Sequence, residues 1–169
     1  MSAMELIGLG ATESFLQAAR RYCSFIETTT KTDTEFLEEL EGVLLDLYKT
    51  ATTLRPPNLL HEKDFEDEMS TDDLDRILLG IGARIGGNNV YWEVFDPFDH
   101  EEHDPVCSDL VDDLGDIYKD IKRALTIFDL GTAAAVEDAI WRLKFEFENH
   151  WGRHAIGALM AVHHLLRRS

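Results

Sequence analysis

The chain of 169 residues is long enough for one domain with a substantial core, because 44% of its residues are hydrophobic. Its 33 acidic and 16 basic residues give a formal net charge of −17, which repels phosphate backbones and anionic lipid surfaces at long range. Nucleic acid and membranes are therefore not expected partners. The N-terminus lacks the basic start of a secretory signal, and no long apolar run is present, so we expect a cytoplasmic protein.

The first third of the chain has the apolar spacing of two helices. Apolar residues recur every three or four positions over residues 12–28, and again over residues 33–51. The second helix must end before Pro56 and Pro57, which cannot extend it. These prolines open a polar loop that we place over about residues 55–70.

Two further helices are predicted in the middle of the chain. Residues 70–85 have a helical apolar stripe, with a serine or threonine cap at the start and two glycines after the end. Residues 106–130 repeat apolar positions at alternating three- and four-residue steps, which is typical of a helix. Between them, residues 88–95 form a short aromatic element, and residues 96–105 form an acidic loop.

The C-terminal segment has helical periodicity throughout residues 132–168. A helix of that length is unusual in a chain of this size, so we expect it to bend or break, with Gly152 and Gly157 as the weak points. No strand-like alternation of useful length is found. The sequence therefore predicts an all-α, single-domain bundle of five or six helices over residues 1–169, with a long and bent C-terminal helix.

Ionisable residues form two stripes at helical spacing. Asp113, Asp116 and Asp120 share one flank of the fourth predicted helix, because residues three or four apart face the same way. Glu146, His150 and His154 share a flank of the last segment. We expect these stripes to meet in an interhelical network of ion pairs and hydrogen bonds, since a buried carboxylate needs partners. Other expected members are Asp112, Tyr118, Arg142 and Arg153.

A metal site between these helices is the alternative interpretation. Its ligands would be Asp113, Asp116, His150 and His154, as helix bundles build carboxylate and imidazole sites between facing helices. Magnesium or manganese would suit the carboxylates, and zinc or iron would require both histidines. No glutamate follows His150, and Arg153 brings a positive charge, so no cofactor is expected and a divalent metal remains the alternative.

The charge pattern favours a binding protein over an enzyme. From Ile85 to Tyr118 the chain has ten acidic residues and no lysine or arginine. An acidic face attracts basic partners, so a basic protein is the expected partner. Candidate anchors for that partner are Tyr91, Trp92, Phe95 and Phe98. The enzymatic alternative is a metal-dependent hydrolase that uses the Asp, His and Glu site between helices. The sequence leaves open the oligomeric state and whether the protein is an enzyme.

Several short stretches together resemble one bacterial family. They include Tyr91-Trp92, Val94 to Pro97, Asp112 to Tyr118 and His150 to Ala155. On these residues the chain resembles the bacterial family of unknown function DUF5063, over most of its length. The resemblance implies a soluble helical bacterial protein and supplies no activity, substrate or cofactor. Gly115 stands where a better helix former is expected, which predicts reduced local rigidity.

Overall fold

The computed structural model describes residues 10–59, 65, 69–101 and 104–168. Six helices and one two-stranded sheet lie within these ranges. In chain order they are α1 (Gly10–Thr28), α2 (Asp33–Thr53), α3 (Thr71–Ile85), β1 (Val90–Glu93), β2 (Val106–Asp109), α4 (Leu110–Phe128), α5 (Ala133–Asn149) and α6 (Trp151–Leu166). The prediction of a mostly all-α bundle of five or six helices is confirmed.

Helix α4 lies at the centre of the bundle. It packs against α1, α3, α5 and α6, and its apolar stripe is fully buried at Leu114, Ile117 and Ile121. The largest buried side chain is Trp151, which begins α6 and stacks on Phe15 of α1 with ring centroids 6.2 Å apart. Within the described ranges, no helix is both long enough and apolar enough to cross a membrane.

Gly115 allows α3 to approach α4 closely. A Cβ atom at this position would lie 2.2 Å from Cδ2 of Leu78, which is too close for any real contact. The lower helix propensity of glycine is therefore offset by closer helix packing. The expectation of reduced rigidity does not take this packing into account.

The prediction that the chain has no strand was wrong. Strands β1 and β2 pair antiparallel, with Tyr91 opposite Ser108 and Trp92 opposite Cys107. Each strand has four residues, too few for a recognisable alternation of apolar and polar positions. The alternation is also inverted, because the apolar Val90 and Trp92 are exposed.

The predicted helix over residues 106–130 was consequently too long at its N-terminus. Residues 106–109 form β2, and α4 begins at Leu110. Asp109 caps the helix, since its carboxylate accepts hydrogen bonds from the backbone N–H groups of Val111 and Asp112. The apolar period of α4 was read correctly, but this cap was not recognised.

The long C-terminal segment breaks into two helices at His150. This residue has φ −142° and ψ −86°, which no helix accommodates, whereas Gly152 and Gly157 both lie inside α6. Gly152 instead permits the tight corner between the helices. A Cβ atom there would lie 2.1 Å from the carbonyl oxygen of Phe147.

The two predicted loops are described only in part. Residues 54–59 and 69–70 have no helix or strand, while 60–64 and 66–68 of the polar loop lie outside the described residues. The acidic loop has no helix or strand over residues 96–101 and 104–105, and residues 102–103 lie outside the described ranges.

Candidate functional site

Two aspartate–histidine pairs connect α4 to the corner between α5 and α6. Oδ1 of Asp113 lies 2.7 Å from Nδ1 of His154, and Oδ2 of Asp120 lies 2.6 Å from Nδ1 of His150. Both carboxylates are nearly buried, with 8% of each side chain exposed. The two imidazole rings meet edge to face at 4.9 Å. We call Asp113, Asp120, His150 and His154 the Asp-His network.

The sequence spacing accounts for this arrangement. Asp113 and Asp120 lie two helical turns apart on α4, and His150 and His154 lie one turn apart at the start of α6. The histidines meet the carboxylates in reverse order along the chain, because the earlier aspartate pairs with the later histidine. Between the pairs, Oδ2 of Asp116 lies 3.8 Å from Nε2 of His154, and Oδ1 of Asp116 binds Lys119 at 3.2 Å.

Asp113 also holds the hairpin against the bundle. Its Oδ2 accepts a hydrogen bond of 2.7 Å from the hydroxyl of Tyr91. Burial, followed by this hydrogen bond, raises the pKa of Tyr91 well above its usual value, so the phenol remains a donor. Tyr91 was predicted as an anchor for a partner protein, but its hydroxyl already donates a hydrogen bond to Asp113 within the chain. Gly157 makes the approach possible, because a Cβ there would lie 2.4 Å from the Tyr91 oxygen.

Arg153 binds the hairpin rather than the aspartate stripe. Its Nη2 donates a hydrogen bond of 3.0 Å to Oε1 of Glu93, which also accepts one from Ser108 at 2.7 Å. The guanidinium carbon lies 3.5 Å from the ring centroid of Phe95, a cation–π contact. Arg153 thus fixes Phe95 in place. Its positive charge is neutralised by Glu93.

Two other predicted members lie apart from the Asp-His network. The hydroxyl of Tyr118 donates to Oε1 of Glu27 on α1 at 2.8 Å. Arg142 pairs with Asp138 on its own helix at 2.7 Å. The side chains that bridge α4 and α6 are therefore fewer than the sequence suggested.

Five acidic or histidine side chains form two overlapping sets that can hold a metal ion. One ligand atom each from Asp116, His150 and His154 lie within 4.8 Å of one another. The same holds for Asp120, Glu146 and His150. The two sets share His150.

A broad apolar groove runs between the hairpin and α6 on the outer side of this network. It has a volume of about 830 Å³. We call it the hairpin groove, and its apolar lining includes Trp92, Val94, Phe95, Ile156 and Met160. All five side chains are also exposed to solvent. The predicted anchors Trp92 and Phe95 thus line this groove, and Phe98 follows the groove residue Pro97 with 83% of its surface exposed.

Comparison with known proteins assigns the chain to a family. A family model described as "Domain of unknown function (DUF5063)" matches residues 10–168, nearly the whole chain. The chain belongs to the DUF5063 family. No curated protein matches it. The crystal structure of protein BF1032 from Bacteroides fragilis is similar, with a TM-score of 0.82 and 20% sequence identity, over 97% of this chain and 96% of that chain. At that identity the likeness shows a shared fold alone.

Sequence reasoning missed the α6 side of the groove in this DUF5063 protein. Ile156 and Met160 lie four residues apart on α6, while Ala155, Ala158 and Ala161 of the same helix are buried. The sequence signal that could have revealed it is the presence of apolar residues on both faces of this helix. Such a pattern indicates a second contact surface for that helix.

The Asp113 contact predicts the titration of His154. The hydrogen bond to Asp113 is the main cause that raises the His154 pKa above its ordinary 6.5, against the opposing effect of burial. The pair therefore stabilises the fold fully below pH 6.5, and this stabilisation is lost as the pH rises through the higher folded pKa. We expect Asp113→Asn to lower the His154 pKa, measured by NMR titration of the ring protons. An unchanged pKa would contradict the pairing.

Proposed function

We propose that this DUF5063 protein is a binding module that takes a basic, amphipathic segment of a partner protein into the hairpin groove. The observation that carries the proposal is the exposure of large apolar side chains around one concave surface. Trp92, at the centre of the hairpin side, has 66% of its surface exposed. Large contiguous apolar patches are rare on the surface of soluble monomers, and those that occur often mark interaction sites.

The shape of the groove favours a helical segment. Ile156 and Met160 line it one helical turn apart on α6, and Trp92 and Phe95 line it from β1 and the residues that follow β1. An amphipathic helix places side chains at three- and four-residue steps into such a groove. The hairpin side of the groove is also held in place before binding, because Arg153 packs on Phe95 and the hairpin is tied to Asp113. Less ordering is therefore needed when the partner binds.

The charge around the groove favours a basic partner. Glu93 and Glu148 line it, each paired with one cation, Arg153 and Lys144 respectively, and Asp96 follows Phe95. Among the described lining residues Arg153 is the one cation, and Glu93 already binds it. The net charge of −17 extends this negative field over the whole chain. Lysine or arginine beside the apolar face of the partner would speed association and fix its orientation.

The same charges speak against the hydrolase alternative in this groove. A phosphorylated substrate needs cations or backbone N–H donors at its binding surface. The described lining is apolar and acidic, and its arginine is engaged. The groove therefore suits a protein segment better than an anionic small molecule.

A synthetic peptide tests the proposal directly. The probe is a helical peptide with leucines on one face and lysines on the other, and its binding is followed by fluorescence anisotropy. We expect Trp92→Ala to weaken binding by about 10- to 30-fold, the usual effect of removing a central aromatic anchor. Added NaCl should weaken binding to the unaltered protein, because the charge contribution is screened.

Two controls separate groove binding from general attraction to an acidic protein. Leu79→Ala removes a leucine on α3 that is 75% exposed and lies outside the groove, and it should leave the affinity unchanged. A peptide with the same composition but no apolar face should bind at least about 10-fold more weakly. Equal losses for Trp92→Ala and Leu79→Ala, or equal binding of both peptides, would overturn the proposal.

A further inference from the structure

We propose that Asp116, His150 and His154 form a binding site for one divalent transition-metal ion of the Zn²⁺ class. The site lies between α4 and the start of α6, and it is separate from the binding function proposed for the hairpin groove. It would bind the ion through two imidazole nitrogens and one carboxylate oxygen. Water or another ligand would complete the coordination.

The distances are close to those of a metal site. One ligand atom from each residue lies within 4.8 Å of the others, and Nε2 of His154 lies 3.8 Å from Oδ2 of Asp116. Ligand atoms bound to tetrahedral zinc at about 2.0–2.1 Å lie roughly 3.4 Å apart. Small side-chain rotations at the half-buried surface would bring the three atoms to that spacing.

Each histidine is oriented as a metal ligand usually is. Nδ1 of His154 is bound by Asp113 and Nδ1 of His150 by Asp120, with both carboxylates nearly buried. A metal-bound histidine normally gives its second ring nitrogen to a carboxylate or carbonyl, which fixes the ring and strengthens the ligand. Here both Nδ1 atoms are engaged in this way. Nε2 is left as the coordinating atom of each ring.

The local charge also favours a cation. Asp113, Asp116 and Asp120 cluster on α4, with Lys119 as the cation bound to Asp116. The pKa of the neighbouring Asp112 is raised, first by burial and then by repulsion from Asp116, Asp113 and Asp109. A bound divalent ion would offset this repulsion. The positive charge of Arg153, which the sequence set against a metal, is directed to Glu93 and Phe95.

The ligand types favour zinc over magnesium. Magnesium takes oxygen ligands and keeps much of its water, whereas imidazole suits zinc and its neighbours in the first transition row. Asp116 is the one carboxylate in the proposed set. Two histidines and one carboxylate with a remaining open position are the ligands of many zinc and iron centres.

Isothermal titration calorimetry on the untagged full chain tests the site. The protein is first treated with EDTA, and the chelator is then removed. We expect one equivalent of ZnCl2 to bind and MgCl2 to give no comparable signal. The double substitution His150→Gln and His154→Gln should abolish the Zn²⁺ binding. The matched control His163→Gln and His164→Gln removes two exposed histidines near the other end of α6 and should retain it. Asp113→Asn should weaken binding by about 10- to 100-fold, because it removes the carboxylate behind His154.

Spectroscopy on the unaltered chain keeps the test valid if the double variant does not fold. With one equivalent of Co²⁺, we expect visible d–d absorption and strongly shifted ring protons for His150 and His154 in NMR spectra. Circular dichroism checks the fold of each variant. Three results would each overturn the proposal: no Zn²⁺ binding by the unaltered chain, equal loss in both double variants, or Co²⁺ shifts at His163 and His164 instead.

Discussion

Asp113→Ala is expected to lower the free energy of unfolding by about 3 kcal/mol, the range found when one partner of a buried ion pair is removed. Asp113 is only 6% exposed and accepts hydrogen bonds from both Tyr91 and His154. Alanine would leave the Tyr91 hydroxyl and the His154 ring without their acceptor at a half-buried position. Urea denaturation followed by circular dichroism measures the change.

The adjacent aspartate supplies the control for this prediction. Asp112 is largely exposed, and its pKa is raised first by partial burial of its carboxylate and then by the neighbouring carboxylates, so its charge is not stabilised by the fold. Asp112→Ala should change the free energy of unfolding by no more than about 0.5 kcal/mol. A similar loss for both substitutions would show that Asp113 acts through general helix charge rather than through its two partners.

Gly157→Ala is expected to destabilise the protein by about 1–3 kcal/mol, although alanine is the better helix former. The new Cβ would lie 2.4 Å from the Tyr91 hydroxyl and 3.1 Å from Oε2 of Glu93. Both groups belong to β1, so the hairpin must move away from α6. Chemical denaturation measures the loss, and the affinity for the leucine–lysine peptide should fall in the same variant because the groove loses one wall.

The same substitution at Gly42 should have the opposite sign. Gly42 is exposed in the middle of α2, and a Cβ there meets no atom within 4 Å. Gly42→Ala should therefore stabilise the protein by about 0.5–1 kcal/mol through helix propensity and reduced freedom of the unfolded chain. If both substitutions stabilise the protein, the close contact between the hairpin and α6 does not exist.

The helices could be predicted because their signal is local. The three- and four-residue apolar steps of α4 persist over five turns, and Ser70 caps α3 as expected, accepting a hydrogen bond from the N–H of Asp73. The same periodicity predicted that Asp113, Asp116 and Asp120 share a flank. It also favoured a contact with the stripe that carries His150 and His154, but it could not predict which histidine pairs with which aspartate, since that depends on how α6 turns at His150.

The hairpin and the contacts that hold it in place were not predicted. Its strands are four residues long, and the contacts that hold it come from distant parts of the chain: Tyr91 to Asp113, and Glu93 to Arg153. Without the hairpin, Arg153 had no visible partner except the aspartates. The place of Ile156 in the groove could likewise not be predicted, because the groove forms only where β1 and α6 lie side by side.

The hairpin groove is expected to be the surface on which a partner binds. Chemical-shift mapping in NMR spectra, with the leucine–lysine peptide added to the labelled chain, tests it most directly. We expect shifts at the indole of Trp92 and at the methyl groups of Ile156 and Met160, with Leu79 unchanged. Shifts confined to acidic side chains, with these three residues unaffected, would contradict it.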